Sequence, residues 1–544
     1  MLLSNLDLLA TAPGGVTRLR ELILTLAVQG KLVPQDPADE PASRLLLKIR
    51  AEKDRLIAEG KIKRDKPLAA IAEGEKPFGL PVGWEWVRMG EVVEVFDSLR
   101  KPVTKEDRQP GPYPYYGASG IVDYVSAYIF DEPLVLVGED GAKWGAGDRT
   151  AFPISGKTWV NNHAHVLKPL RTALADMYLV NFLTARDLSE FITGMTVPKL
   201  NQARLISIPI AIPPLAEQSR IVTRVEELMR LCDALEAKGQ LEAAQHALLV
   251  STLLGTLTAS STPDALAAQW QRVAQHFDLL LDRPQAIDVL EQTLLQLAVR
   301  GLLVPQDPAD EPASVLLQKI RAEKDRLITE GKIKRDKPLP PIADEEKPFG
   351  LPVGWEWVRL MDIADSRLGK MLDKAKNTGK RYPYLRNTNV QWHHIDLDDI
   401  KEISLEANEL AEFRLLPGDL LICEGGYPGR CAIWRDPDRE MYFQKALHRV
   451  RPQGGVAVEL IAITLESDSR AGNLDKHFTG ATIKHFVGQA LDRYVLALPP
   501  LAEQSRIVTR VTALRRLCGD LRQRLAERLF MQARLAEALV AEVA

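Results

Sequence analysis

VPQDPADEPASRLLLKIRAEKDRLIAEGKIKRDKPLAAIAEGEKPFGLPVGWEWVR, residues 33–88, returns at residues 304–359, a shift of 271, with seven positions changed. A second stretch, PPLAEQSRIVTRV at Pro213–Val225, returns unchanged at Pro499–Val511, a shift of 286. Between these frames lie two regions, roughly 90–211 and 361–497, that are largely unlike each other. Their edges still register: Tyr113-Pro114-Tyr115 matches Tyr382-Pro383-Tyr384, and Gly194-Met195-Thr196-Val197 matches Gly480-Ala481-Thr482-Ile483. A chain that repeats its frame and varies what the frame holds is one fold used twice, with divergent surfaces; two copies are too few for a solenoid.

The frame reads as helical. Ile221, Val225, Leu228, Cys232 and Leu235 alternate spacings of four and three, as do Ile507, Val511, Leu514, Cys518, Leu521 and Leu525. That is the a/d seam of a coiled coil, so packed long helices are expected. Pro213-Pro214 and Pro499-Pro500 stand where proline fixes a helix start. A helix over about 214–250 spans roughly 55 Å at 1.5 Å per residue. Shorter helices are predicted around Val16, Leu19, Ile23 and Leu26 and around Ile287, Leu290, Leu294 and Leu297, stopped by Gly30 and Gly301. A third pair covers Ala42–Glu59 and Ala313–Glu330, acidic before its start and basic near its end, as the helix dipole favours. The stretch 338–352 and its first copy read as Pro-rich linkers. The variable regions look mixed α/β, with short apolar strands at Leu134–Val137, Val166-Leu167, Asp419–Ile422 and Ala432–Trp434, and helices at Met177–Leu188 and Val458–Leu465.

At 544 residues, 46% hydrophobic and 26% charged, the chain is long enough for several globular domains. The apolar start, Met1 to Leu9, lacks a basic n-region and cleavage site, and no run approaches the ~18 apolar residues of a membrane span. Cytoplasmic residence is the expectation, with no membrane partner. Four cysteines give no disulfide framework; Cys232 and Cys518 occupy equivalent seam positions, and Cys423 and Cys431 flank a Gly-rich loop as strand residues. The net charge of −3, with slightly acidic sums in both variable regions, argues against a protein that grips nucleic acid by phosphate neutralisation alone. The basic runs Lys61–Lys66 and Lys332–Lys337 are either phosphate contacts or solvated surface.

Catalytic signatures are missing. Gly156-Lys157-Thr158 has Ala151 where a phosphate loop needs its first glycine, and neither a methyltransferase motif nor a nucleotide-binding glycine fingerprint occurs. His163 and His165 would face the same side of a strand, but no matching Cys or acidic cluster accompanies them, so no metal is expected. Glu139-Asp140-Gly141-Ala142-Lys143 faintly echoes a nuclease carboxylate-lysine set and reads more simply as a polar turn.

Leu80-Pro81-x-Gly83-Trp84 and Leu351-Pro352-x-Gly354-Trp355 open the variable regions, and Pro-Pro-Leu-Ala-Glu-Gln at 213–218 and 499–504 closes them. This paired frame resembles the specificity subunits of type I restriction-modification systems, over essentially the whole chain. Residues 115–120 and 159–165 resemble one class of their target recognition domains; Tyr384–Val390 and Pro417–Leu421 resemble another. The resemblance implies an α+β fold: two mixed α/β recognition domains in pseudo-two-fold arrangement, separated by an antiparallel coiled coil of long helices. The domains would be 1–79 (helical frame), 80–212 (first recognition domain), 213–350 (spacer helix and repeated frame), 351–498 (second recognition domain) and 499–544 (second spacer helix). It also implies a non-catalytic subunit that reads double-stranded DNA in two unlike halves. Two copies of an adenine methyltransferase subunit would dock on the helices, and motor-nuclease subunits would complete an ATP-dependent restriction complex. No cofactor would bind this chain; S-adenosylmethionine, ATP and Mg would sit on the partners.

Readout must come from the variable regions, because a duplicated frame cannot supply two specificities. Base edges are read by Arg, Lys, Asn and Gln, and backbones by Lys, Arg, Tyr and glycine loops. The candidates in the first region are Tyr116, Ser119, Lys143, Trp144, Asn161, Asn162 and Lys199. In the second they are Arg386, Asn387, Asn389, Gln391, Tyr427, Arg430, Lys445 and Lys484. Asn162 and Asn387 fit equally well as turn caps.

Overall fold

A computed structural model describes residues 6–60, 67–194, 196–260, 262–333, 335, 338–373 and 379–543. The basic run 61–66 and half of its copy (residues 334, 336 and 337) lie outside them. The chain forms two compact units, Met1–Ala243 with Arg528–Ala544, and Ala244–Glu527. The division falls inside both long helices, Leu215–Thr258 and Leu501–Val543. The first continues eight residues beyond the expected end at 250.

In the first unit the short helix Gly15–Val28 ends in a left-handed glycine, Gly30 (φ +71°). A Cβ there would meet Pro81 Cγ at 2.5 Å and the Trp84 ring at 3.0 Å. Only glycine lets the helix stop against the Leu-Pro-x-Gly-Trp segment. The variable domain is entered by strand Glu85–Arg88 and left by Pro209–Ile212, which pair antiparallel. Inside, Val93–Val95, Ala164–Pro169, Leu134–Gly138 and Ala151–Ile154 form one antiparallel sheet in that order. Gly120–Val125, Pro110–Gly117, Lys157–Val160 and Phe130–Asp131 form the other, with a parallel central pair. Leu134 to Val137 are buried on both faces, so the run is continuously apolar instead of alternating. Helix Asp176–Ala185 lies against this core through Tyr178, Leu179, Phe182 and Leu183.

The second unit repeats this plan. Its entry and exit strands, Glu356–Arg359 and Val495–Leu498, pair in the same register. One sheet runs Ala364–Leu368, Leu447–Pro452, Leu420–Cys423, Cys431–Ile433; the other runs Lys401–Leu405, Lys380–Leu385, Tyr442–Phe443, again with a parallel pair. Equivalent bonds recur at equivalent places: Leu200 N donates to Glu139 O and Phe486 N to Glu424 O, while buried His165 and His448 each bond through Nε2 to the carbonyl of Leu200 or Phe486. The unlike sequences thus make the same fold.

Each unit carries one latch between the two repeated motifs. Trp84 Nε1 and Gln35 Nε2 donate to the two oxygens of buried Glu217 at 3.0 and 3.2 Å, and Arg220 pairs with Asp39 at 2.7 Å. In the second unit Trp355, Gln306 and the Arg506–Asp310 pair meet Glu503 and its neighbourhood at 2.9, 3.2 and 2.6 Å. This explains why the two motifs travel together: each supplies donors and acceptors that the other completes.

One expectation needs correction. The stripe Ile221, Val225, Leu228 and Cys232 is buried or half-buried as its spacing requires, but its apolar partners are Ile23, Leu24, Ala27 and Val28 of the short helix together with the variable domain. Leu235 is half-buried and belongs to no apolar cluster. On the other long helix, Ile507 and Val511 pack with Leu295, Ala298 and Trp355. Leu514, Cys518, Leu521 and Leu525 do share a cluster with Val250, Leu254 and Leu257 of the first long helix, but the short helix Pro284–Val299 joins them. The seam is therefore a multi-helix core, not a two-helix zipper. The Pro-rich linkers are pinned. Buried Arg88 holds Glu75 at 2.7 Å and the carbonyls of Ala69 and Ala70, and Arg359 does the same with Glu346 and Pro340. Among the described residues no helix is long and apolar enough to cross a membrane.

Candidate nucleic-acid interface

In the first unit four loops converge at one end of the two sheets. The turn after Pro110–Gly117 meets the 138–143 loop, since a Cβ on Gly138 would touch Ala142 Cβ at 2.4 Å and Ala118 O at 3.1 Å. Asn161 N donates to Tyr116 O at 3.0 Å, and the 193–200 segment bridges back through Asp140 and Lys199. Tyr116, Ser119, Lys143, Asn161, Asn162 and Lys199 are thus brought together. Their situations differ. Ser119, Lys143 and Asn162 are exposed, whereas Tyr116 is half-buried against Phe152. Trp144 is half-buried, donates to Gly138 O at 3.2 Å and packs on the core. Asn161 is buried and caps the turn by accepting from His163 N at 2.8 Å.

Lys199 is engaged by Glu139 at 2.8 Å, within a network that composition gave no hint of. Glu139 also pairs with Arg100, and His165 is bonded to Asp97 at 2.5 Å. Asp97, Glu139 and His165 form the one described group with metal-ligand geometry, but Arg100 and Lys199 already match its carboxylates. Burial by itself would lift the Glu139 carboxyl; the hydrogen bonds from Lys199 and Arg100 outweigh it and hold the group below its ordinary range. The expectation that His163 and His165 share a strand face fails. His163 precedes strand Ala164–Pro169 and is exposed on Asp140, while His165 is fully buried. Gly156-Lys157-Thr158 opens a strand, Lys157–Val160, where a phosphate loop would open a helix.

In the second unit the equivalent loops converge. Asn387 Nδ2 donates to Gly425 O at 3.2 Å, Arg430 donates to Asn387 O at 3.0 Å, and His485 lies 3.1 Å from where a Gly425 Cβ would stand. Glu424 N donates to Ala446 O at 2.9 Å, bringing up the loop that bears Lys445. Tyr427 is 69% exposed, with the Arg430 guanidinium 4.6 Å from its ring centroid. Lys445 and Lys484 are exposed, and Lys484 also pairs with Asp475 at 3.0 Å. Arg386 is tied to Asp399 at 2.5 Å, and Gln391 donates to Thr388 O at 2.9 Å. Asn389 is buried and bonds Arg386 N, Asp396 O and Asp399 O, a turn-holding role. Cys423 and Cys431 are buried; burial pushes the Cys423 thiol up to about 11, which leaves it unreactive.

A duplicated α+β frame that presents two same-topology domains with unlike loop ends is a bipartite recognition scaffold. The family profile described as type I restriction modification DNA specificity domain matches residues 81–245 and 352–529. The chain is 34% identical to the type I restriction enzyme EcoEI specificity subunit of Escherichia coli, and 35% identical to the EcoAI specificity subunit of the same species. Both alignments span 96% of this chain and 93% of the relative. A solved chain from work on complex assembly and conformational transition of the type I R-M system aligns with 86% of this chain and 99% of its own, at 18% identity and a TM-score of 0.45. The protein belongs to the type I restriction-modification specificity-subunit family.

Proposed function

We propose that this chain reads a split, asymmetric double-stranded DNA target, one half through each recognition domain, and fixes the distance between the halves through its long helices. What supports the reading most is that matching loop ends on matching sheets carry unlike side chains. Residues 116–120, 138–143, 161–163 and 193–200 answer 385–389, 424–430, 444–446 and 479–486. Identical scaffolds with different polar tips are what two different base sequences require.

The exposed members Ser119, Lys143, Asn162, Tyr427, Lys445 and Lys484 are the proposed direct contacts. Tyr116, Asn387, Arg430, Arg386, Gln391 and Lys199 stand at the rim. Trp144, Asn161 and Asn389 shape the loops from behind. Two copies of a methyltransferase subunit would dock on the helices and supply the phosphate contacts that this acidic chain lacks. S-adenosylmethionine, ATP and Mg would be bound by the methyltransferase and motor-nuclease partners, and the chain itself would act in the cytoplasm without catalysing a reaction.

The test is selection from a random DNA pool by the complex assembled with its methyltransferase, beside a methyl-transfer assay on the isolated chain. The expected result is a two-part target with unlike halves and no transfer by the chain alone. A complex with no sequence preference would overturn the reading, and transfer by the isolated chain would make it an enzyme.

A further inference from the structure

The latch residues that tie each frame to its long helix are the same in both units, so they do not distinguish one half from the other. The apolar face is also shared in kind: Ile23 answers Leu294, and Cys232 answers Cys518, at the shifts set by the repeat. The charged rim of the same contact is reversed. In the first unit Arg20 of the short helix donates to Asp233 at 2.8 Å and Glu236 at 2.9 Å on the long helix. In the second unit Arg522 of the long helix donates to Asp288 at 2.7 Å and Glu291 at 2.6 Å on the short one. Position 20 is equivalent to 291 and position 236 to 522, so an Arg-to-Glu pair has become a Glu-to-Arg pair at one site. Arg515 adds a further cation beside Glu291, where the first half has Met229.

We propose that this reversal is a pairing code: each short helix accepts only a long helix of its own half, which keeps the first short helix off the second long helix and the second short helix off the first, within one chain or between two copies. Were the short helix 15–28 to seat on a partner copy's second long helix, its latch-side and apolar contacts would be met, but Arg20 would face Arg522 and Arg515. The converse exchange would bring Asp288 and Glu291 onto Asp233 and Glu236. An exposed ion pair contributes little to stability; juxtaposed like charges penalise the wrong partner much more, and specificity is that difference.

The test uses two full-length chains with different tags, unfolded together, refolded, and assayed by tandem affinity capture for mixed complexes. In a recoded chain (Thr17→Asp, Arg20→Glu, Asp233→Gly, Glu236→Arg) both halves carry the second half's charges, each with its ion pair intact. Mixed complexes should rise at least about tenfold over the unaltered chain. A second measurement mixes Arg20→Glu with Asp233→Gly/Glu236→Arg. Each chain repels its own partner helix but matches the other chain, so hetero-association should exceed self-association of either. The proposal is overturned if the recoded chain exchanges no more than the unaltered one, or if the two mismatched chains prefer each other no more than themselves.

Discussion

Glu217 and Glu503 are each buried where a tryptophan and a glutamine converge on one carboxylate. Burial raises both above the ordinary 4.5, against the donors that pull them down. A carboxyl whose folded value is raised contributes stability that is complete below 4.5 and is lost as pH rises through the folded value. At neutral pH each latch therefore holds a charge at a cost. Glu217→Gln, which keeps an acceptor for Trp84, should leave neutral stability unchanged or higher and flatten the decline just above the carboxylate range. Glu217→Ala strands the buried indole N–H and removes one acceptor of the Gln35 amide, which keeps Gly30 O, and should cost about 1–3 kcal/mol. Denaturant titrations from pH 4 upward check both, and a Gln variant with the parent's pH slope would refute the assignment. The candidate contacts divide by the same logic. Asn161 and Asn389 hold turns, so alanine there should lower stability. Ser119, Lys143, Tyr427 and Lys445 are exposed, so alanine should weaken DNA binding by the assembled complex with an unchanged melting temperature. Sequence could name residue types suited to base edges but could not sort them, because the sorting depends on distant partners such as Glu139 for Lys199 and Asp399 for Arg386.

Among the elements, the heptad stripe shows what periodicity conveys. Ile221, Val225 and Cys232 had to be buried, and they are; nothing in a 3.5-residue rhythm says whether the covering surface is another long helix, a short one or a sheet domain. The glycines at 30 and 301 were legible as stops because a left-handed C-cap is a local requirement, whereas the pinning of the linkers was not, because the Arg88 and Arg359 side chains that hold them lie beyond the proline-rich stretch. The long helices themselves bear a prediction. Between Leu235 and Leu248 every side chain but that of His246 is exposed, so this stretch tolerates insertion without loss of a core. Adding four residues after Ala243 and four after Glu527, about one helical turn, lengthens each helix by about 6 Å. The target selected by the assembled complex should keep both half-sites and gain about two base pairs between them, at about 3.4 Å each. Altered half-sites with unchanged spacing would rule out the spacer role.

At the scale of the whole molecule, the frame has to hold domains whose sequences diverge, and its contacts show how it can. Gln218 reaches the first recognition domain only through backbone, accepting from Ala175 N at 2.8 Å and donating to Ala173 O at 2.7 Å. Gln504 accepts from Ala457 N at 2.9 Å in the second. The entry and exit strands pair with each other, Glu85 opposite Ile212 through Arg88 opposite Pro209, and so close the domain on the frame strand Glu85–Arg88. Because a peptide group is the same in every sequence, a foreign recognition domain of this fold grafted between residues 89 and 208 should be latched as the native one is. The graft should melt within a few degrees of the parent, change one half of the selected target and leave the other half and the spacing untouched. Gln218→Ala should destabilise parent and graft alike by about 1–3 kcal/mol. A graft that folds but alters both half-sites would mean that the two domains read DNA jointly, and the idea of independent readers on a shared frame would have to be abandoned.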